Sequence, residues 1–442
     1  MADKYASLYD TVVKYEIQAS CREPLHIGSG DGRYGEVLVH PATGEPFIQA
    51  SGIAGAFRSW FEGNGDLACE IFGSTSQEDG QSKIRFQDGY FSETAIYTEL
   101  RPRVKIDPVT GTVQGNTLKS GRVSGQKFQM ESVASGSRFS FAIYLFEKDT
   151  PYEEAVEESL AAFHAGEIQL GGQKSNGCGY GELLSVKKSV YSMRAPQDRR
   201  LWAAEEKEGT EIAPALIERG KSRDGRLHFV LTGRTEGALL VKSVSVREYG
   251  AGVPDDVNMQ NRKDEFIVPA SSLKGALRSQ IEKIAAYRGL KNGVIEALFG
   301  AAYDKESKGM VGTARFFDCV VGDKAENAKT PVQMRIHIDK LTGGVFQQQL
   351  FSQRPVCGQV EIRVDLETEE GAGLVLMALR DLGMGLFPLG SGSGIGRGYL
   401  AGSSLRVELG GKRLAEIDLN AGEILSGRDV IDGYMKDLAG LC

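Results

Sequence analysis

The stretch VPASSLKGALRSQIE, from Val268 to Glu282, decides the fold, because the chain carries it twice. Its copy is IQASGIAGAFRSWFE, from Ile48 to Glu62, and Ser51, Gly55 and Arg58 return 220 residues later as Ser271, Gly275 and Arg278. In the later copy a short apolar strand runs into a helix. Leu273, Leu277 and Ile281 follow at i, i+4 and i+8 and share one face. Ser271 or Ser272 is expected as the N-cap. Lys274 stands in the first turn, where the earlier copy has Ala54.

Further matches follow in the same order, and a repeat of this size governs the whole chain. IFG at Ile71–Gly73 returns as LFG at Leu298–Gly300. IRFQDGYF from Ile84 returns as ARFFDCVV from Ala314, placing Asp88 over Asp318. RVKIDPVTGTV from Arg103 returns as RIHIDKLTGGV from Arg335, placing Thr110 over Thr342. GGQKSNGCGYGEL from Gly171 returns as GSGSGIGRGYL from Gly390. A tandem duplication follows, with domains expected at 1–195 and 226–442 and a charged linker at 196–225. Each copy reads strand, helix, strand, strand, helix, strand. That order predicts an α+β protein of two elaborated ferredoxin-like domains.

The length, 442 residues, suits two or three domains. No apolar stretch approaches the ~20 residues that span a bilayer, and the start shows no signal-peptide pattern, so no membrane partner is expected. Cys21, Cys69, Cys178, Cys319, Cys357 and Cys442 form no C-x-x-C pair, which fits reduced thiols in a cytoplasmic protein. The net charge of −7 argues against coating nucleic acid with the whole surface, while leaving room for a local basic groove. GKS at Gly220–Ser222 is no phosphate loop, because Ala215 stands where its first glycine belongs.

Four features can carry chemistry. The glycine clusters hold Lys174, Asn176 and Arg397, and fit either a cradle for a polyanion or a tight turn packed on its own sheet. Lys274 with Ser271 and Ser272 fits a phosphate site at a helix start, or a solvated lysine. Arg101, Arg103, Lys105, Lys119, Arg122 and Lys127 face a single acid, Asp107, within a stretch expected to form an exposed hairpin tipped at Thr110 and Gly111. Long loops after each first strand hold His26 and Asp31 in one copy, Asp255 and Asp256 in the other. An acid there could serve a ribose 2′-hydroxyl as base or position a metal, or it could simply form a turn.

LHIGSG (Leu25–Gly30), FIVPASSLKGALRS (Phe266–Ser279), LFG (Leu298–Gly300), ARFFDC (Ala314–Cys319), IDKLTGG (Ile338–Gly344) and the two glycine-rich loops carry a resemblance. On them the chain resembles the RAMP superfamily of CRISPR-associated proteins, most closely the backbone subunits of type III effector complexes. The resemblance implies RRM-like domains stacked along a guide RNA (crRNA), with β-hairpin thumbs that flip out nucleotides. It implies cleavage of complementary target RNA by an aspartate with Mg²⁺ or another divalent metal. It also implies large, small and further backbone subunits as partners.

Carried onto this chain, the resemblance implies Asp31 as the catalytic acid of the first copy and Asp255 or Asp256 as that of the second, with Asp31 and Asp256 as candidate metal ligands. The RNA-binding residues are His26, Ser51, Arg58, Arg103, Lys105, Lys174, Asn176, Ser271, Ser272, Lys274, Arg278, Arg335, His337 and Arg397. The first copy departs from the pattern in QASGIAG, without the proline and lysine, and the second has TEGALLVKS where LHIG is expected. Counted back from the serine turn, the catalytic position falls near Tyr34 and Pro254, beside the acids rather than on them. Fused backbone subunits occur in variant type III systems, which the pair resembles. The alternative is a purely structural crRNA-binding subunit. A guide-processing endonuclease fits less well, because no pair of histidines matches between the copies.

Overall fold

A computed structural model describes residues 9–28, 35–65, 67–74, 81–92, 96–107, 115–117, 123–125, 127–148, 151–243, 254–290, 293–301, 309–323 and 330–440. Asp31 and the expected hairpin tip at Thr110 lie outside them. The chain forms two units. One comprises Met1–Glu99, Glu131–Lys174 and Cys178–Asp224; the other comprises Leu100–Met130, Ser175–Gly177 and Gly225–Cys442.

In the first unit the sheet order is Thr210–Glu211, Gly181–Ser192, Thr11–Cys21, Arg138–Glu147, Gly89–Phe91 and Phe47–Ile48, with Ile84–Phe86 also on Arg138–Glu147. The opening strand therefore lies between Gly181–Ser192 and Arg138–Glu147, and both neighbours are antiparallel to it. This is the split βαβ order of a ferredoxin-like domain. Helices Ala50–Gly63 and Glu153–Ala165 bury Ile53, Phe57 and Phe61 with Val156, Leu160 and Phe163 in one core. The rings of Phe57 and Phe163 stack with centroids 6.1 Å apart. Truncating a buried phenylalanine of this kind to alanine costs about 3–5 kcal/mol.

The second unit repeats the plan. Its sheet runs Ala314–Phe316, Gln359–Leu366, Leu227–Thr235, Leu400–Leu409, Lys412–Asp418 and Glu423–Ser426. Helix Ala270–Arg288 buries Leu273, Leu277, Ile281 and Ile284, the stripe its spacing predicts, and packs with helix Ala372–Gly383 in the same core. The duplication extends to irregularities. Where the opening strand meets the last one, the register slips between Gln18 and Ala19 in one unit and between Thr232 and Gly233 in the other.

The structure corrects two expectations here and explains a third. Residues 196–225 are not a bare linker: Pro196–Ala204 and Ala213–Lys221 are helices, and Ala213 and Leu216 are buried in the first unit's core. Their charges occupy the solvent side of short helices. Ser271 and Ser272 are not caps, because the helix begins at Ala270 with Pro269 as N-cap residue and no cap bond from its own side chains. The stretch around Leu239 does replace LHIG. Leu25 exchanges two backbone hydrogen bonds with Val133, and Leu239 does so with Val356; Gly172 N–H donates to His26 O at 2.8 Å, and Ser391 N–H to Leu240 O at 2.8 Å. Backbone bonds of this kind need no particular side chain, so the signature can be absent while the geometry is kept.

The second hairpin arm is formed by Gln333–Ile338 and Val345–Arg354, antiparallel, with Ile336 opposite Leu350. Asp339 closes its tip, its carboxylate accepting the N–H groups of Leu341 and Thr342 at 2.8 Å each. In the earlier arm, Thr98–Val104 pairs with Lys127–Val133.

Candidate nucleic-acid interface

Each repeated helix starts against a carboxylate from the following strand region. Asp88 Oδ1 accepts the N–H of Ala50 at 2.7 Å, and Asp318 Oδ1 accepts that of Ala270 at 2.9 Å. A fixed anion at a helix N-terminus satisfies an otherwise orphaned donor and offsets the dipole. The first backbone donor is therefore already used. A phosphate near this helix start cannot use that N–H and meets a carboxylate beside it.

Lys274 is the side chain in question. Its Nζ donates to Ser175 Oγ at 2.7 Å and lies 3.4 Å from Phe299 O. Burial, with the charges of Arg278, Arg315 and Arg103 added to it, pushes the ammonium down to about 8. All these residues belong to the second unit. Arg278 Nε reaches Glu282 at 2.8 Å and its guanidinium lies 5.6 Å from the Phe299 ring centroid. Arg315 Nη2 reaches Glu367 at 2.6 Å. The arrangement is a half-buried lysine among three arginines, two of which pair with Glu282 and Glu367. Such a site favours an incoming anion.

The glycine-rich loops are built for close approach to their own sheet. Gly171 and Gly390 have φ of 70° and 76°, and a Cβ there would lie 2.2 Å from His26 O and 2.5 Å from Leu240 O. Lys174 and Asn176 are half-buried in a 3₁₀ turn. Arg397, expected at a polyanion, is instead buried, donating to Gln353 Oε1 at 2.8 Å and to Gln333 Oε1. Burial and the nearby charge of Arg335 lower its guanidinium from the ordinary value. It anchors the base of the second arm.

His26 is likewise buried, with Nδ1 2.7 Å from Glu131 O. Glu131 also accepts Val37 N–H on its side chain at 3.1 Å, so one residue grips both ends of the loop that carries Asp31. In the second unit Asn258 does comparable work, accepting Val241 N–H at 2.7 Å and donating to Ile267 O at 3.0 Å.

Asp255 and Asp256 are both engaged. Ser352 donates its N–H at 2.6 Å and its hydroxyl at 2.8 Å to Asp255 Oδ2, which holds this carboxyl below its ordinary value. Asp256 Oδ2 takes Lys242 Nζ at 2.7 Å and Gln353 Nε2 at 2.7 Å. Among the described residues no group of three or more His, Cys, Asp or Glu side chains converges, and these two acids with their partners do not make a preformed divalent-metal site. Of the remaining expected contacts, Ser51 and Lys105 are exposed, Arg335 is half-buried, and Arg58 pairs with Glu62 at 2.9 Å. The side chain of His337 lies outside the description. Sequence reasoning missed Asp88, Asp318, Arg315, Ser175 and Glu131. The identity of Asp88 and Asp318 across the copies was the available signal.

The profile of the RAMP superfamily matches residues 18–182 and 250–401, well over half of the sequence. The chain belongs to the RAMP superfamily. Its two matched regions correspond to the two copies of the fold, so this is a tandem RAMP protein of α+β, ferredoxin-like architecture. No curated protein sequence gives a significant match. Among solved structures 228 chains match. One is a chain in the cryo-electron-microscopy structure of the Type III-B Cmr-beta bound to cognate target RNA, at 19% identity and a TM-score of 0.33. That match covers 41% of this RAMP chain and 61% of the other. No helix among the described residues is long and apolar enough to cross a membrane.

Proposed function

We propose that this RAMP protein is a guide-RNA-binding backbone subunit of a type III CRISPR ribonucleoprotein, holding crRNA and presenting paired target RNA for cleavage. The observation that carries the reading is the cationic cluster around Lys274. An ammonium lowered to about 8 by burial and three arginines favours an incoming anion, although Arg278 and Arg315 are themselves paired with Glu282 and Glu367. A phosphate backbone relieves that repulsion and releases counterions as it binds. Large, small and further backbone subunits are the proposed protein partners.

Cleavage is proposed for the first unit's loop. The 2′-oxygen of a target nucleotide beside a flipped base attacks its own phosphorus, and the P–O5′ bond breaks. The products are a 2′,3′-cyclic phosphate and a 5′-hydroxyl. Asp31 takes the 2′-hydroxyl proton, and water returns one to O5′. For the second unit the scaffold reading is favoured, because Asp255 and Asp256 already hold Ser352, Lys242 and Gln353.

The test assembles the complex on crRNA and maps cuts in a labelled complementary RNA, with Mg²⁺ and with EDTA. Asp31→Ala should lose one cut while binding persists, and Asp255→Ala and Asp256→Ala should keep the wild-type pattern. Unchanged cuts in all three variants would make the chain a scaffold throughout. RNA binding itself is tested by Lys274→Ala, which should lower the slope of log affinity against log salt by about 1.

A further inference from the structure

We propose that Asp88, at the start of helix Ala50–Gly63, is the docking point for an arginine-bearing extended arm of a partner protein. The second unit supplies the comparison. There Asp318 caps Ala270 and also receives Arg101 in a two-point pair, Nη1 to Oδ1 at 3.0 Å and Nη2 to Oδ2 at 2.7 Å. Arg101 lies on strand Thr98–Val104, in a run where Arg101, Arg103 and Lys105 alternate with Leu100, Pro102, Val104 and Ile106. An extended strand puts the alternate basic residues on one face.

In the first unit Asp88 makes the same cap to Ala50 at 2.7 Å, and among the described residues that is the one hydrogen bond its carboxylate makes. The residue is half-exposed. The same carboxylate in the same place is thus filled by an arginine in one unit and open to one in the other. A guanidinium matches a carboxylate with two parallel N–H···O bonds, which a lysine or an amide cannot do.

The occupant is not a second copy of this chain. Aligned on the runs RVKID (Arg103–Asp107) and RIHID (Arg335–Asp339), the second arm has Gln333 where the first has Arg101, and Gln333 is held by Arg397. A head-to-tail contact between identical chains builds a ring where the rotation closes and an open filament where it does not. The glutamine removes the group that would make that contact. The arm that fits Asp88 therefore belongs to a different protein, with an arginine on an exposed strand. This goes beyond RNA binding and does not depend on it.

The experiment titrates the full-length protein with a fluorescein-labelled peptide, TELRPRVKID, the sequence of Thr98–Asp107. Asp318 is already filled within the chain, at high effective concentration. The peptide should bind wild type and bind Asp88→Asn about tenfold more weakly, since asparagine keeps the acceptor for Ala50 but loses the charge. A peptide with glutamine in place of its first arginine should bind wild type no better than that. Equal binding to wild type and Asp88→Asn, or no binding to wild type at millimolar protein, overturns the proposal. Sedimentation of the wild type should show a monomer; self-association abolished by Asp88→Asn would make a second copy the occupant and overturn the choice of partner.

Discussion

The carboxylate of Asp318 holds the backbone N–H of Ala270 at 2.9 Å, across 48 residues of sequence. The helix that this bond starts is the one that presents Lys274. Asp318→Ala removes the cap and the partner of Arg101 together. We expect it to destabilise the protein by about 2 kcal/mol, from a lost cap and an orphaned guanidinium. Asp318→Asn keeps the acceptor for Ala270 and should cost roughly half as much. Urea denaturation of the two variants measures the difference, and equal losses would mean that the cap contributes nothing.

Lys274 should trade stability for binding. Its folded value, about 8, lies below the unfolded 10.5. Between those values the unfolded chain binds a proton that the folded chain does not, so stability should rise with pH across this window. Below about pH 8 both states are protonated and the folded state bears the cost of the charge. Lys274→Met should therefore stabilise the RNA-free protein at pH 7, by on the order of 1 kcal/mol after allowing for the partial exposure of the group. It should flatten the pH dependence between 8 and 10.5. The same variant should bind RNA more weakly. Thermal melts at pH 7 and 9.5, with and without RNA, check both signs.

The repeat was legible because the apolar spacing and the serine turn recur in order, and that recurrence dictated the fold. Lys274 was legible as a cation out of place in a first helical turn. Its surroundings were not, because Arg103, Ser175 and Arg315 come from three separate stretches of chain. Asp88 and Asp318 were visible as a match but not as caps, since nothing local links a carboxylate to a helix start 38 or 48 residues earlier. The segment from 196 to 225 reads as a linker because its helices are short and show the solvent mostly charge. The stretch around Leu239 hides its likeness to the one around Leu25 because the shared bonds are made by backbone. Arg397 sits in a glycine-rich run that suggests exposure. What buries it is an arm 44 residues earlier, at Gln353.

The glycine loops give a sharp stability test. Gly179 and Gly398 have φ of 88° and 84°, and a Cβ would lie 2.1 Å from Leu170 O and 2.0 Å from Leu389 O. Neither carbonyl can retreat, because each belongs to the turn that the glycine closes. Gly398→Ala should cost about 2 kcal/mol or more, from strain at positive φ with the clash added. Gly394→Ala lies in the same loop, has no atom within 4 Å of its Cβ, and should be nearly neutral. A similar loss in both would mean that the whole loop, rather than the two close approaches, resists side chains.

Arg397 should control the second arm. It ties the base of both arm strands, through Gln333 on one and Gln353 on the other, to the glycine-rich loop. Gln353 in turn reaches Asp256, so the arm, the loop and the acid share one hydrogen-bonded network. Arg397→Ala should cost about 1.5–3 kcal/mol, the range for hydrogen bonds to a charged group. It should also loosen the arm before the core. Limited trypsin digestion should then cut first at Arg335 or Lys340 in the variant, at an enzyme concentration that leaves wild type whole. Arg397→Lys should restore the charge but not the two-pronged tie, and its digestion pattern should resemble that of the alanine variant. If lysine restores full protection, charge alone anchors the arm, and the two amides of Gln333 and Gln353 are bystanders.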